Sequence, residues 1–300
     1  RDGRYPATAA EFELRGPESA VAAAHGAQPL VGWRPQHGWQ LLGDWPADAI
    51  ELFALYRPLL EVPADTGYVV AHLGQSIDGR IATRSGDSRY VTGPQNLIHL
   101  HRMRALSDAI VVGARTVESD DPQLTTRLVP GRSPVRVIID PSSRLRADRR
   151  VFRDGQAPTL LVRAAGADAA GVVATVLPVP CRDGVLDLPA LIAALHLRGL
   201  RVVFVEGGGV TVSAFVEQDC LDRLQIAIAP VIIGAGRDGL RLPAPATMRD
   251  CARPRHRVFR MGDDVLWDFE LRSSIQAAED VAVTDPQPAF TALQRRPPAG

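Results

Sequence analysis

The run Val202-Val203-Phe204-Val205-Glu206-Gly207-Gly208-Gly209 decides the fold. Its four apolar residues, three of them valine, read as a strand buried on both faces. Three glycines follow, and then a stretch from Thr211 to Glu217 that reads as a helix. A buried strand that turns through glycine into a helix is the repeating unit of a parallel α/β sheet. The same turn suits an anion. Glycine lets a phosphate approach the backbone, and the helix start, with Val210 and Thr211, offers free N–H groups. A plain strand-to-helix turn would use the same residues, but three glycines directly after the strand favour a dinucleotide site. The spacing is not the G-x-G-x-x-G of the Rossmann fold. Glu206 closes the strand at its C-terminal end, where α/β sheets bind ligands, although a solvated carboxylate would be ordinary there too.

Outward from this stretch the same punctuation recurs. Ala109–Val112 reads as a strand ending in Gly113, followed by Arg115 and Thr116, whose charge and hydroxyl suit a pyrophosphate. Two such turns in one sheet support both ends of a dinucleotide. Further strands are expected at Tyr68–Leu73, Val135–Ile139, Thr159–Val162, Thr175–Leu177, Leu224–Ile233 and Val265–Leu271. Helices are expected at Asp48–Leu60, with Asp48 as cap, at Pro94–Ala105, with Pro94 in the first turn, and at Pro189–Leu197. The alternation implies one α/β domain over residues 67–272, a mostly parallel central sheet flanked by helices. Residues 1–66 read as an accessory N-terminal arm, with Trp33, Trp39 and Trp45 in a loop-rich middle. Residues 273–300 are polar and proline-rich and read as a disordered tail. Leu224–Ile233 is very apolar for a sheet edge, which argues that a second copy covers it.

Composition excludes several chemistries. The 34 basic residues balance 34 acidic ones, so net charge gives no pull toward nucleic acid or membrane. All 34 are arginine. Without lysine there is no Schiff-base catalysis by a lysine, no pyridoxal phosphate anchor and no Walker-type loop. Cys181, Cys220 and Cys251 form no C-x-x-C pair, so neither a zinc site nor a redox dithiol is expected, and the sparse count fits the cytoplasm. No apolar run of ~18 residues is present. The chain opens on Arg1 rather than Met, which leaves a removed leader open. The seven histidines include His99 and His101, two apart and so not on one helix face. They read as packed or solvated, and no metal is expected. Asp120-Asp121-Pro122 admits an acid–base or metal reading and an ordinary turn equally. Asp78-Gly79, after the first strand, reads as a structural turn.

Taken together, Ser76–Arg80 (an S-[LI]-D-G-[RK] run), Ser85–Ser88 (SG-x-S), Asp120–Arg127 (D-D-P-x-L-T-x-R) and Val205–Gly208 (VE-G-G) resemble the reductase half of the bifunctional pyrimidine deaminase/reductase of riboflavin biosynthesis. The resemblance runs roughly from Gly67 to Leu271. It implies a dihydrofolate-reductase-like fold, a homodimer, and NADPH-dependent reduction of a phosphoribosylamino-pyrimidine to its ribitylamino form. It implies cofactor contacts at Gly74, Tyr90, Thr116, Asp120 and the Gly208–Ala214 turn, beside Gly113, Arg115 and Gly207 of the two glycine turns, with Ser142 and Arg144 placed for the 2′-phosphate. It implies substrate contacts at His72, Ser88, Arg104, Leu124, Arg127 and Glu206, with Glu206 and Asp120 the nearest candidates for a catalytic role. Arg104 lies on the apolar face of its helix, aimed inward and in need of an anion; an internal salt bridge to Asp120 or Glu206 is the alternative. Two departures stand out. The family's usual lysine is His72 here. Residues 1–66 contain no cysteine for a deaminase zinc, so a stand-alone reductase is expected.

Overall fold

The structure, a computed structural model, describes residues 10–13, 30–34, 37–63, 65–167 and 174–272. The expected tail, residues 273–300, lies outside the described residues, as does most of the first part of the arm.

In chain order the elements begin with strands β1 (Ala10–Glu13), β2 (Leu30–Arg34) and β3 (Gly38–Leu42), then helix α1 (Ala47–Leu60). Next come β4 (Tyr68–Ser76), β5 (Arg80–Ala82), α2 (Pro94–Leu106), β6 (Ala109–Gly113) and α3 (Ala114–Asp120). They are followed by β7 (Val135–Ile139), α4 (Arg150–Arg153), β8 (Thr159–Ala164), β9 (Thr175–Val179) and the two-residue strands β10 (Cys181–Arg182) and β11 (Val185–Leu186). The chain continues through α5 (Leu188–His196), β12 (Val202–Glu206), α6 (Gly209–Glu217) and β13 (Arg223–Ala229), then β14 (Arg237–Asp238), β15 (His256–Met261) and β16 (Asp264–Glu270).

Nine strands form one sheet in the order β15-β16-β13-β4-β12-β6-β7-β8-β9. All pairings from β13 to β9 are parallel, and β16 and β15 extend one side antiparallel. The opening stretch explains its own place. β12 lies between β4 and β6, so both its edges are hydrogen-bonded, and the helices on either side of the sheet cover its faces. Val203 and Val205 enter one core with Val212, Phe215, Leu191 and Leu195 of α6 and α5. Val202 and Phe204 enter the other with Met103 of α2 and Leu55 and Leu59 of α1. The two-residue period of a strand sends alternate side chains into two different cores.

Several expectations change. The strand expected over Leu224–Ile233 ends at Ala229, before Pro230, and lies inside the sheet between β4 and β16. It is apolar because it is interior, so it gives no argument for a dimer. Asp48 is not the cap of α1; Pro46 occupies that position, and Asp48 accepts only from the next amide, Ala49 N–H. Trp33 and Trp39 do not lie in a loop. They face each other across the β2–β3 pairing, with ring centroids 5.7 Å apart. β15 has no counterpart among the expected strands. Only Phe259 and Met261 of its six residues are buried, so no apolar run marks it.

The irregular segment after α3 is tied down by Arg136 of β7, which is 1% exposed. Arg136 Nη1 donates to Gln123 O at 3.2 Å and to Asp154 Oδ1 at 2.8 Å, Nη2 to Ala157 O at 2.6 Å, and Nε to Thr159 Oγ1 at 3.0 Å. Removing its counter-charge would strand a buried guanidinium. Asp154→Ala should cost about 3–5 kcal/mol in urea unfolding. Asp148→Ala, which breaks the exposed pair to Arg146, should cost less than about 1 kcal/mol. Equal losses would contradict this account.

Candidate functional site

Because β4, β12, β6 and β7 run parallel, the segments that follow them leave the sheet along one edge, the usual ligand edge of an α/β fold. Glu206 ends β12 there, in register with His72 of β4, which in turn is in register with Gln225 of β13. Helix α2 brings Asn96, His99, His101 and Arg104, all buried.

Arg104 and Glu206 meet in a fork. Arg104 Nε lies 2.8 Å from Glu206 Oε2 and Nη2 lies 2.5 Å from Oε1, while Nη1 donates to Thr125 O at 3.1 Å. Their side chains are 7% and 18% exposed. The expectation that Arg104 lacks a protein counter-charge is therefore corrected. Two parallel N–H···O bonds satisfy the guanidinium, and of the two internal partners considered, Glu206 is the one used. Arg127 differs. Among the described residues its guanidinium makes no ion pair, and its residue is exposed. Desolvation and the neighbouring Arg104 hold it below the ordinary arginine range, with Glu206 opposing. Its backbone N–H donates to His101 Nδ1 at 3.0 Å. Leu124, between the two arginines in sequence, has φ 56 and a side chain wholly inside the core, so any ligand contact there is through backbone.

His72 is buried, with Nε2 3.0 Å from Asn96 Oδ1, and Asn96 Nδ2 donates to Thr92 Oγ1 at 3.0 Å. An amide oxygen only accepts, so Nε2 carries the proton. Burial pushes His72 down to about 4, with the Asn96 bond and Glu206 opposing. It is a neutral imidazole at neutral pH and does not replace the charge of a lysine. Gly74, two residues on, lies against Thr92: a Cβ there would come within 2.8 Å of Thr92 Cγ2. His99, beside His72, is linked to Tyr56 Oη at 2.7 Å and to Gln225 Oε1 at 2.9 Å. Through Tyr56, α1 reaches the rear of the site.

The two glycine turns touch. Gly113 caps α3 and Gly208 caps α6, and neither helix has a side-chain cap. Gly208 N–H donates to Thr116 Oγ1 at 3.4 Å. A Cβ on Gly113 would lie 2.5 Å from Thr211 Oγ1, and one on Gly209 would lie 1.8 Å from Gly239 O. Gly209 thus serves close packing of α6 against Gly239. Among the described residues, Thr116 Oγ1, 3.7 Å away, is the only non-neighbouring heavy atom within 4 Å of a Cβ on Gly208, so the space over this turn is open. Gly207, at φ 149, holds a backbone that other residues rarely adopt. Arg115 and Val210 are exposed beside these turns, and Thr116 and Thr211 are half-buried.

The remaining residues are more scattered. Ser142 and Arg144 are exposed in the loop after β7, which buried Asp140 fixes by accepting Arg144 N–H and Leu145 N–H, both at 3.0 Å. Asp120 is exposed at the end of α3; partial desolvation raises its carboxyl above the ordinary range, with Arg237 and Arg89 opposing. Ser88 is half-buried and Tyr90 is 94% exposed at φ 63, and no hydrogen bond among the described residues joins either to the Arg104–Glu206 pair. Asp78 is structural, as its turn suggested: it accepts from Ser76 Oγ at 2.5 Å and from Ile233 and Gly234 N–H, which hold it down to about 2. Asn96, Thr125, Asp140 and Gly239 escaped the reading of the sequence, and His101 was read there only as a packed or solvated histidine. Only His101 left a usable mark there, three residues before Arg104 and so on its side of the helix.

Comparison with known proteins agrees with this geometry. Residues 67–257 match the model of the RibD C-terminal domain. A 2,5-diamino-6-ribosylamino-4(3H)-pyrimidinone 5′-phosphate reductase of Methanothermobacter thermautotrophicus is 32% identical over 217 residues, 68% of this chain and 98% of that one. The riboflavin biosynthesis protein RibD of Bacillus amyloliquefaciens is 34% identical over 56% of this chain, which spans only 46% of that relative. Among solved structures, a Thermotoga maritima deaminase/5-amino-6-(5-phosphoribosylamino)uracil reductase superposes with a TM-score of 0.58 at 27% identity, over 73% of this chain and 59% of that one. The riboflavin biosynthesis reductase Rib7 of Saccharomyces cerevisiae shares the fold, with a TM-score of 0.61 at 23% identity, over 74% of this chain and 99% of that one. The strand–glycine–helix turns, the Arg104–Glu206 fork and the family match over 67–257 coincide in one stretch of chain, and the protein belongs to the RibD C-terminal domain family.

Proposed function

We propose that this chain reduces a phosphoribosylamino-pyrimidine, 5-amino-6-(5-phosphoribosylamino)uracil or a close relative, to its ribitylamino form, with NADPH as the reductant. One observation carries the reading: an unpaired arginine, Arg127, stands beside a buried Arg104–Glu206 fork on the same sheet edge as an open glycine cradle. The names of the relatives supply the substrate class.

The cradle fits a dinucleotide. Gly208 has room for a phosphate where a side chain would stand, and the uncapped start of α6 presents amides to it. Thr116 and Arg115 flank it, Gly74, Asp120 and Tyr90 lie on adjoining segments, and Arg144 with Ser142 suits a 2′-phosphate. When bound, the reduced nicotinamide would supply hydride to the sugar C1′ of the ring-opened substrate. The protein's own groups position the partners. Arg127 holds the phosphate end, where a guanidinium fork matches its oxygens. Glu206, held rigid by Arg104, accepts from a polar group of substrate, and Ser88 supplies a second polar contact. His72, neutral and hydrogen-bonded to Asn96, orients rather than charges the site. Its place in the position of a lysine favours a second reading, a reductase of the same class with a shifted substrate.

In an assay of reduced nicotinamide oxidation, the phosphoribosylamino-pyrimidine should be turned over and dihydrofolate should not; the reverse would reject the proposal. Arg127→Ala should raise KM for the phosphorylated substrate about 10- to 100-fold, as expected for one charge-assisted contact, with the Kd for NADPH unchanged. Gly208→Ala meets no clash in the free protein and should fold normally, yet weaken NADPH about tenfold or more. Normal NADPH binding by that variant would place the cofactor elsewhere.

A further inference from the structure

The segment that carries Arg127 has no regular secondary structure. Arg136 anchors it at Gln123 O and Arg104 at Thr125 O, and the hydroxyl of Ser133 takes the Thr126 N–H at 3.2 Å. Among the described residues, one hydrogen bond fixes Arg127 itself. His101 Nδ1, on α2, accepts the Arg127 N–H at 3.0 Å and lies 3.5 Å from the Leu128 nitrogen. To accept, Nδ1 carries no proton, so the proton is on Nε2.

That arrangement is costly. His101 is 0% exposed, and among the described residues its Nε2 has no hydrogen-bond partner; the Thr125 hydroxyl, two residues before Arg127, is likewise buried and unpaired. An unpaired buried donor destabilises a fold, and an apolar side chain at position 101 would avoid the penalty. What an imidazole offers there and an apolar side chain cannot is the Nδ1 acceptor. His101 also lies three residues before Arg104 on α2, so the two share a side of the helix. One helix face therefore supplies both the cation that locks Glu206 and the acceptor that locks the Arg127 amide. Burial, with Arg104 and Arg127 adding to it and Glu206 opposing, pushes His101 down to about 4, so the lone pair is available at neutral pH.

We propose that His101 is a positioning residue for anion binding: its Nδ1 fixes the Arg127 backbone, and through it the place from which the Arg127 guanidinium reaches a substrate phosphate. The inference rests on the substrate role proposed for Arg127. It assigns His101 no contact with substrate and no part in proton transfer. It explains why an exposed arginine can act with a defined reach, since fixing the backbone removes part of the ordering cost that ligand binding would otherwise carry.

Three variants separate this role from simple packing. In His101→Asn the amide oxygen falls near the place of Nδ1. In His101→Gln it falls near the place of Nε2, and His101→Leu has no acceptor. Affinity for ribose 5-phosphate is measured by calorimetry, with ribose as control, alongside KM and kcat for the phosphoribosylamino-pyrimidine and the Kd for NADPH. His101→Leu and His101→Gln should weaken ribose 5-phosphate and raise KM about tenfold, the size of one neutral hydrogen bond, with kcat within about twofold and NADPH affinity unchanged. His101→Asn should stay within about threefold of the parent protein. If the leucine variant does not fold, the asparagine–glutamine comparison still decides. Asparagine no better than glutamine, a fall in kcat at constant KM, or no preference of the parent protein for ribose 5-phosphate over ribose would overturn the inference. A parent protein that binds ribose 5-phosphate in this His101-dependent way but turns over no pyrimidine would reject the proposed reaction and leave the role of His101 standing.

Discussion

The buried fork between Arg104 and Glu206 is the constraint on which the site depends. It joins the last turn of α2 to the C-terminal end of β12 through two residues 102 apart in the chain. Arg104 is not tolerable alone at its depth, because a buried ion without its partner is strongly destabilising, whereas Glu206 is partly exposed. The pair therefore fixes the distance between helix and sheet at the ligand edge, and the third Arg104 bond carries that constraint on to Thr125 O. Among the described residues Arg127 makes no ion pair, and it stands two residues beyond an anchored carbonyl. The asymmetry between a satisfied and an unsatisfied arginine is what gives the site direction.

The sheet makes this economical. Parallel strands deliver all their following segments to one edge, so two glycine turns, an acidic strand end and a basic loop converge without any long insertion. β12 is the hub. Its valines alternate between two cores, and its last residue is the first polar group outside them. The turns at Gly113 and Gly208 are packed so closely, through Thr116 and Thr211, that they behave as one floor. The helix α1 adds an outer support, since Tyr56 reaches His99 and His99 stands against His72. Among the described residues no helix is long and apolar enough to cross a membrane.

Much of this was legible in the sequence, for physical reasons that can be named. β7 reads to the same residues in both, because Val135–Ile139 is a valine- and isoleucine-rich stretch, broken only by Arg136 and ended by Asp140-Pro141, and β12 reads to within one residue. β15 was illegible because a half-buried edge strand shows apolar residues only at alternate places, and here those places hold Phe259 and Met261 amid arginine and histidine. The interior position of β13 was misread because an apolar run does not say which neighbours cover it. At the site, residue types were legible and pairings were not. Arg104 announced itself as inward and in need of an anion, but only the fold brings Glu206 to it. Gly208 and Gly209 look alike in sequence; their surroundings make one an open cradle and the other a packing contact.

The central claim is that the two glycine turns and the Arg104–Glu206 edge form a single reductase site. The most direct measurement is a crystal structure of the chain with reduced nicotinamide dinucleotide bound. The account predicts the pyrophosphate over Gly208 and the start of α6, flanked by Thr116, with the nicotinamide ring extending toward His72 and Glu206. A dinucleotide bound elsewhere, or one whose nicotinamide points away from β4 and β12, would contradict it.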